Sequence, residues 1–317
     1  MMSACKNTQK VVEEPQAVGP AFQADSAYVY CQKQCDFGPR TMNSTAHDAC
    51  RDWIRSEFER HGCVVNYQQA DLKGYDGTVL HSTNIIASAF PERQQRIMLC
   101  AHYDSRPWAD NDPDEANHHT PVMAANDGAS GVAVMLEVAR LLHAADSAKV
   151  GVDFICFDAE DYGTPQWYDG ESQVEDPWAL GAQYWAQSVA SQGYKYRPMF
   201  GILLDMVGGE GSQFYQERMS LQLASSVVDI VWQAAHACDS GNLFPTQAGG
   251  YITDDHVPVN QIAKIPCVDI IPNYPDNAGS TFGPTWHNII DTMEHISRET
   301  LQAVGQTVIQ VIYNTIP

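Results

Sequence analysis

The chain has 317 residues, 44% of them hydrophobic, with a formal net charge of −21. That length and apolar content support a sizeable core and exclude wholesale disorder. So acidic a chain disfavours nucleic acid and anionic membranes as direct partners but tolerates neutral or cationic ligands, including peptides with a free amine, and no run of 18 or more apolar residues is present to span a bilayer.

In chain order, the first feature is MSAC, Met2 to Cys5, ahead of the polar run KNTQKVVEEPQ. A small residue before a cysteine is similar to the end of a bacterial lipoprotein signal. It sets three expectations: a lipid anchor at Cys5, a tether over residues 1–20, and a place in the bacterial cell envelope facing the periplasm. The plain alternative is a chance match of four residues. Residues 21–317 show no internal repeat or compositional break and are expected to form a single catalytic domain.

Apolar residues recur at helical spacing from Phe22 to Cys35. After the loop FGPRTMNST, Ser44 or Thr45 can cap a helix carrying Cys50, Trp53, Ile54 and Phe58 on one face and ending at Gly62. Strand-like runs follow: CVVNYQQA from Cys63, NIIASAF from Asn84 and RIMLCAHYD from Arg96. Helices and strands then alternate. Helices are predicted over 130–143, from Leu180, over 220–237 and over 299–312, with strands at VDFICF, FGILLDM and CVDIIP. Continuous apolar strands between amphipathic helices predict an α/β fold, a three-layer αβα sandwich with a mixed, mostly parallel sheet. None of the nine cysteines has zinc-ribbon spacing, and Cys100 and Cys156 fall in apolar runs as buried thiols.

Sites in open α/β sheets form beyond the carboxyl ends of the strands. Here those ends carry His102 and Asp104, Glu160 and Asp161, and Asp205, while loops offer Asp127 in AANDGASG, Asp254, Asp255 and His256 in TDDHVP, and Trp286 and His287 in PTWHN. Each has a structural reading when taken singly: Asp before Gly is usually a turn or cap, and a lone strand-end Asp is often a cap. Their convergence on one sheet edge points to chemistry. The stretch FDAEDYG sharpens this, because Asp158, Glu160 and Asp161 crowd like charges at the end of a buried strand. A divalent cation compensates them; oxygen ligands with one histidine nitrogen suit zinc, leaving a neighbouring carboxylate free as acid/base. Asp158 reads as structural.

HYD, NDGASG, the acidic pair in AED, LLD and the late histidine together resemble the zinc aminopeptidase superfamily, from about Phe37 to the C-terminus. In the dizinc aminopeptidase branch, the resemblance implies His102, Asp127, Asp161, Asp205 and His287 as metal ligands and Glu160 as general base. In the glutaminyl cyclase branch it implies one zinc on Asp127, Asp161 and His287, with His102 the candidate for a second metal. Glu160 is then the proton-transfer residue, with Asp205 and Asp254 as hydrogen-bonded carboxylates. ITDDHVP, Trp286 ahead of His287, Phe282, and Trp167 after the acidic pair resemble animal-type and bacterial glutaminyl cyclases, with Trp167, Phe282 and Trp286 as the implied pocket walls. Asp161 stands where the animal pattern has Glu, and the segment to Trp167 is one residue longer. The implied activity converts N-terminal glutamine of peptides or proteins to pyroglutamate with release of ammonia, in a monomer. An aminopeptidase hydrolysing N-terminal residues is the alternative, and a catalytically inactive binding domain is a third. The acidic loop 169–176 is a candidate calcium loop, against the simpler reading of a solvated one.

Overall fold

The computed structural model describes residues 17–193 and 195–315, so the expectation placed on Cys5 lies outside the described residues. Helix α1 (Ala24–Cys35) and helix α2 (Thr45–Arg60) open the chain, and the Ser44 side chain caps α2 by accepting from the His47 amide. Strands β1 (Val64–Lys73), β2 (Val79–Ala89) and β3 (Arg96–His102) follow, then α3 (Ala129–Ala145), β4 (Gly151–Phe157), α4 (Leu180–Gln192) and β5 (Gly201–Leu204). Helices α5 (Arg218–Leu223), α6 (Ser225–Ala237) and α7 (His256–Gln261), strand β6 (Cys267–Ile270) and helix α8 (Arg298–Asn314) complete the order. None of the described helices is long and apolar enough to cross a membrane.

The single helix expected over 220–237 is two. Glu217 turns back to accept from the Met219 and Ser220 amides, and the backbone leaves helical geometry at Ala224 (φ −146°) before α6 begins. The break lets α5 pack beneath β6 and α7, where Ser220 Oγ accepts from the Asp269 amide. Helix α7 was not anticipated, since His256–Gln261 is short and contains Pro258.

The sheet order is β1-β2-β4-β3-β5-β6, with β1, β2 and β4 antiparallel to their neighbours in that run and β4, β3, β5 and β6 parallel. Alternation along β3 divides the core: Ile97, Leu99 and Ala101 join the cluster made with α1, α3 and α8, while Met98 and Cys100 join the one made with α4 and α7. Helices therefore cover both faces, and a Leu→Ala change at such a position costs about 2–5 kcal/mol. The path runs β3–α3–β4 in one direction and β4–α4–β5 back across β3. That reversal opens a crevice at the strand ends.

Two glycines make the close packing there possible. A Cβ on Gly131 of α3 would lie 2.1 Å from the Leu204 carbonyl, and one on Gly128 would lie 2.5 Å from the His102 ring. At the chain's entry, three glutamines one turn apart on α8 receive the incoming backbone: Gln310 from Val18, Gln306 from Phe22 and Gln302 from Ala24.

Candidate active site

The crevice gathers its side chains from the strand ends and from the loops before α3, before α7 and after β6. Arg40, wholly buried, donates to the carbonyls of Met123 and Ala124 and so shapes the loop before α3. The Asp291 carboxylate accepts from the amides of Asn126 (2.8 Å) and Asp127 (3.1 Å), which fixes the backbone of Asp127. At the end of β4, the Asp104 carboxylate receives the amides of Glu160 and Asp161, each at 3.1 Å. Asp158 stays out of the crevice and binds His47 Nε2 (2.7 Å) and the Thr83 amide (2.7 Å).

Two buried groups of possible ligands meet at Asp127: His102, Asp127 and Asp205 form one, and Asp127, Asp161 and His287 the other, with ligand atoms within 4.8 Å of one another in each. In the first, His102 Nε2 makes a 2.9 Å hydrogen bond to Asp127 and lies 3.3 Å from Asp205. In the second, His287 Nε2 lies 3.1 Å from Asp161 Oδ1 and 3.8 Å from Asp127 Oδ2, and both Asp161 oxygens are buried with no hydrogen-bond partner. A buried carboxylate without a donor is costly. Two aspartates and an imidazole around an unmet carboxylate fit a zinc ion by donor type and by charge. Zinc chemistry is therefore suited to these residues.

From the protein groups alone, against the opposing effect of burial, both histidines are pushed up by their carboxylate neighbours, and burial raises Asp205 as it does Asp161. Burial opposes the charge on His102, yet hydrogen bonds to Asp104, Asp127 and Asp205 outweigh it and push the ring well above its ordinary value. Burial would raise Asp127 too, but the His102 bond holds it low. Asp161 is raised by burial against the opposing pull of His287, and burial raises Glu160 strongly, helped by Asp161 and Asp254. Burial and the neighbouring Asp205 push Asp254 up to about 7. Elevated carboxylates beside a cavity are the usual mark of acid/base sites.

A cavity of about 180 Å³ opens beside these groups, lined by Asp127, Glu160, Asp205, Asp254 and His287, with Trp178, Ile252, Thr253, Ile271, Phe282 and Trp286 as walls. Trp286 stacks on His287 with ring centres 3.9 Å apart, and Phe282 lies 5.1 Å from Trp286. Trp167 is not in this lining. It is 36% exposed and packs on Trp108, His118 and His119. Trp178 stands in the wall instead, parallel to the His287 ring at 6.0 Å. The segment 169–176 folds back over Tyr75 through a Gln173 amide bond, which carries Trp167 outward and Trp178 inward. Its acids, Asp169, Glu171, Glu175 and Asp176, are all exposed and are not among the groups of possible metal ligands in the described residues.

A third buried group, Asp254, His256 and Asp269, lies behind the cavity, with His256 Nε2 3.2 Å from Glu217. Sequence reasoning noted Asp254 and His256 but not Glu217 or Asp269, which sit in α5's cap and inside a strand. Asp104 was noted at its strand end without a role, and Asp110 and Asp291 went unread, because an acid that holds a backbone amide or a buried arginine has no motif of its own.

The profile of peptidase family M28 matches residues 84–312. The chain belongs to peptidase family M28. Among solved structures, this M28 protein is 50% identical to a Bacteroides thetaiotaomicron glutaminyl cyclase bound to N-acetylhistamine, with a TM-score of 0.89 over 94% of this chain and 99% of that one. Tannerella forsythia glutaminyl cyclase is 48% identical, with a TM-score of 0.88 over 93% and 99%. A leucine aminopeptidase precursor from Bacteroides thetaiotaomicron is 50% identical, with a TM-score of 0.88 over 94% and 99%. The curated relatives are more distant. An aminopeptidase of Bacillus subtilis is 28% identical over 93% of this chain, which spans 58% of that protein's length. Glutaminyl-peptide cyclotransferase of Drosophila melanogaster is 23% identical over 83% of this chain and 73% of its own.

Proposed function

We propose that this chain is a zinc-dependent glutaminyl-peptide cyclotransferase that converts N-terminal glutamine of peptides to pyroglutamate and releases ammonia. The observation that carries the reading is the single small cavity on which Glu160, Asp205 and Asp254 converge with Asp127 and His287 between aromatic walls. Its likeness to the bacterial glutaminyl cyclases, across 99% of each of their chains, supports it.

Asp127, Asp161 and His287 would hold one zinc per chain, which when bound supplies a Lewis acid for the substrate's γ-carbonyl oxygen. The cavity compares with the roughly 150 Å³ pocket that takes a benzene ring, so it accepts a folded glutamine side chain and little more. Trp178, Phe282 and Trp286 would press that side chain toward its own α-amine, setting the attacking nitrogen near the γ-carbon. Glu160, raised by burial, takes a proton from the amine as the new C–N bond forms and returns it to the departing nitrogen, which leaves as ammonia. Asp205 and Asp254 face the same space and would accept from the amide N–H groups of the leaving nitrogen. No water is consumed, so no second activated oxygen is required.

A dizinc aminopeptidase is the second reading, favoured by the group His102, Asp127 and Asp205. Against it, the His102 ring nitrogen that faces Asp127 and Asp205 is already engaged in a 2.9 Å hydrogen bond to Asp127. The zinc-loaded protein offered a Gln-initiated peptide and a Leu-initiated amide separates the two: ammonia with pyroglutamate supports the cyclase, and freed leucine overturns it. We also propose an envelope location for the protein, on the strength of MSAC and the polar run behind it; labelled palmitate incorporated at Cys5 and lost in Cys5→Ala tests this.

A further inference from the structure

Asp110 lies on the loop between β3 and α3 and is buried. Its Oδ1 is 3.3 Å from Nδ1 of His287, the ring nitrogen that points away from Asp127 and Asp161. The imidazole therefore sits between an outer carboxylate and the two inner ones; Nδ1 is buried and makes no hydrogen bond of good geometry among the described residues, so this 3.3 Å approach is its link to a carboxylate. Asp110 is itself held on three sides. Arg106 donates to it through Nε (3.1 Å) and Nη2 (2.6 Å), and the Gln166 amide donates at 3.1 Å. The same guanidinium sends Nη1 to the carbonyls of Asp161 (3.0 Å) and Gly163 (2.9 Å). It is sandwiched by rings, 4.7 Å from Trp178 and 5.1 Å from Trp108.

We propose that Asp110, locked by Arg106, is a positioning residue: it keeps the Nδ1–H tautomer of His287 so that Nε2 faces the metal, and the pair holds His287 and Asp161 in register. This rests on the zinc reading above. A metal-bound histidine commonly donates its other N–H to a carboxylate, which fixes the tautomer and strengthens the ligand. The additional element here is that one guanidinium reaches both sides. It grips the carboxylate behind His287 and the main chain of Asp161, so a shift of either ligand must move a buried, bidentate, doubly stacked ion pair.

The test is zinc affinity, measured by competition with a chromophoric chelator. Asp110→Asn keeps the size of the side chain and removes the charge that Arg106 and His287 share. It is expected to weaken zinc binding about 10–100-fold, with unchanged circular dichroism and with chelator-treated protein melting as wild type does. Arg106→Lys, which keeps one charge but not the fork, should weaken binding less. Asp114→Asn on the same loop should leave it unchanged. Zinc binding by Asp110→Asn within twofold of wild type overturns the proposal. Should that variant fail to fold, the wild type decides. In nitrogen-15 spectra of the zinc-loaded protein, the His287 ring, assigned by its loss in His287→Gln, is expected protonated at Nδ1 and metallated at Nε2, and the opposite tautomer overturns the proposal. Affinity is read without substrate, so a failed cyclase assay and a failed positioning role are distinguishable.

Discussion

The two halves of the site share Asp127 and are built from the same residue types, yet they satisfy themselves differently. On the β3–β5 side, His102 hydrogen-bonds Asp127, approaches Asp205 and Asp104, and is driven toward its charged form. On the β4 side, Asp161 has two buried oxygens with no donor, and His287 is braced from behind by Asp110. Both histidines are pushed above their ordinary value, but of the two halves only the second leaves a carboxylate with both oxygens unmet. Identical ligand lists can thus encode one metal or two, depending on whether a histidine is spent as a donor to its neighbouring carboxylates or held back by a partner behind it.

The largest test of this contrast is Glu160→Gln. It is expected to lower turnover by about 10²–10⁴-fold, the usual contribution of a general acid/base, while zinc content stays at the wild-type value; retained activity would remove Glu160 from its role. Next come the two histidines. His287→Gln should weaken zinc by more than the roughly 100-fold of an outer-sphere change. His102→Gln should keep one zinc within about tenfold of wild-type affinity, since one order corresponds to about 1.4 kcal/mol. Equal loss in both variants, or two zinc ions per wild-type chain by elemental analysis, breaks the distinction.

A smaller effect separates the two tryptophans. Trp178→Ala should lower kcat/KM for a Gln-initiated peptide about tenfold, near 1.4 kcal/mol, and Trp167→Ala should stay close to wild type, because only Trp178 lines the cavity. The smallest effect concerns Asp254, raised to about 7 by burial and Asp205. An acid whose folded value lies above its unfolded value keeps a proton that the unfolded chain releases. Its stabilising contribution is full below the ordinary aspartate value and is lost as pH rises through about 7. In chelator, Asp254→Asn should therefore flatten the decline in Tm between about pH 4 and 7. An unchanged slope would show that neighbouring acids, not Asp254, carry that proton.

Much of this was legible because apolar strand runs end abruptly in acids, and a parallel sheet places consecutive strand ends on one edge. His102, Glu160, Asp161 and Asp205 were found that way, and Asp127 by its turn before a helix. The unread parts depend on loop paths and on three-dimensional neighbours. Trp167 and Trp178 are both tryptophans near one acidic loop, and only the fold-back of 169–176 decides which faces the cavity. Asp110 reads in sequence as one acid in a polar loop; its burial becomes visible only once Arg106 is seen between two indoles. The break at Ala224 escaped notice because both halves of 220–237 keep a helical apolar spacing, and the Glu217 cap that starts the first helix lies outside that window.

The glutamines at 302, 306 and 310 give the molecule a mechanical grain. They accept three backbone amides of the entering chain along one side of α8, so a pull along the axis of that helix would load three hydrogen bonds in shear rather than peel them one at a time. Arg298 adds a fourth hold through Asp25. The helix that takes these holds supplies none of the side chains lining the crevice, so the chain's entry and the candidate ligands Asp127, Asp161 and His287 are anchored on separate elements.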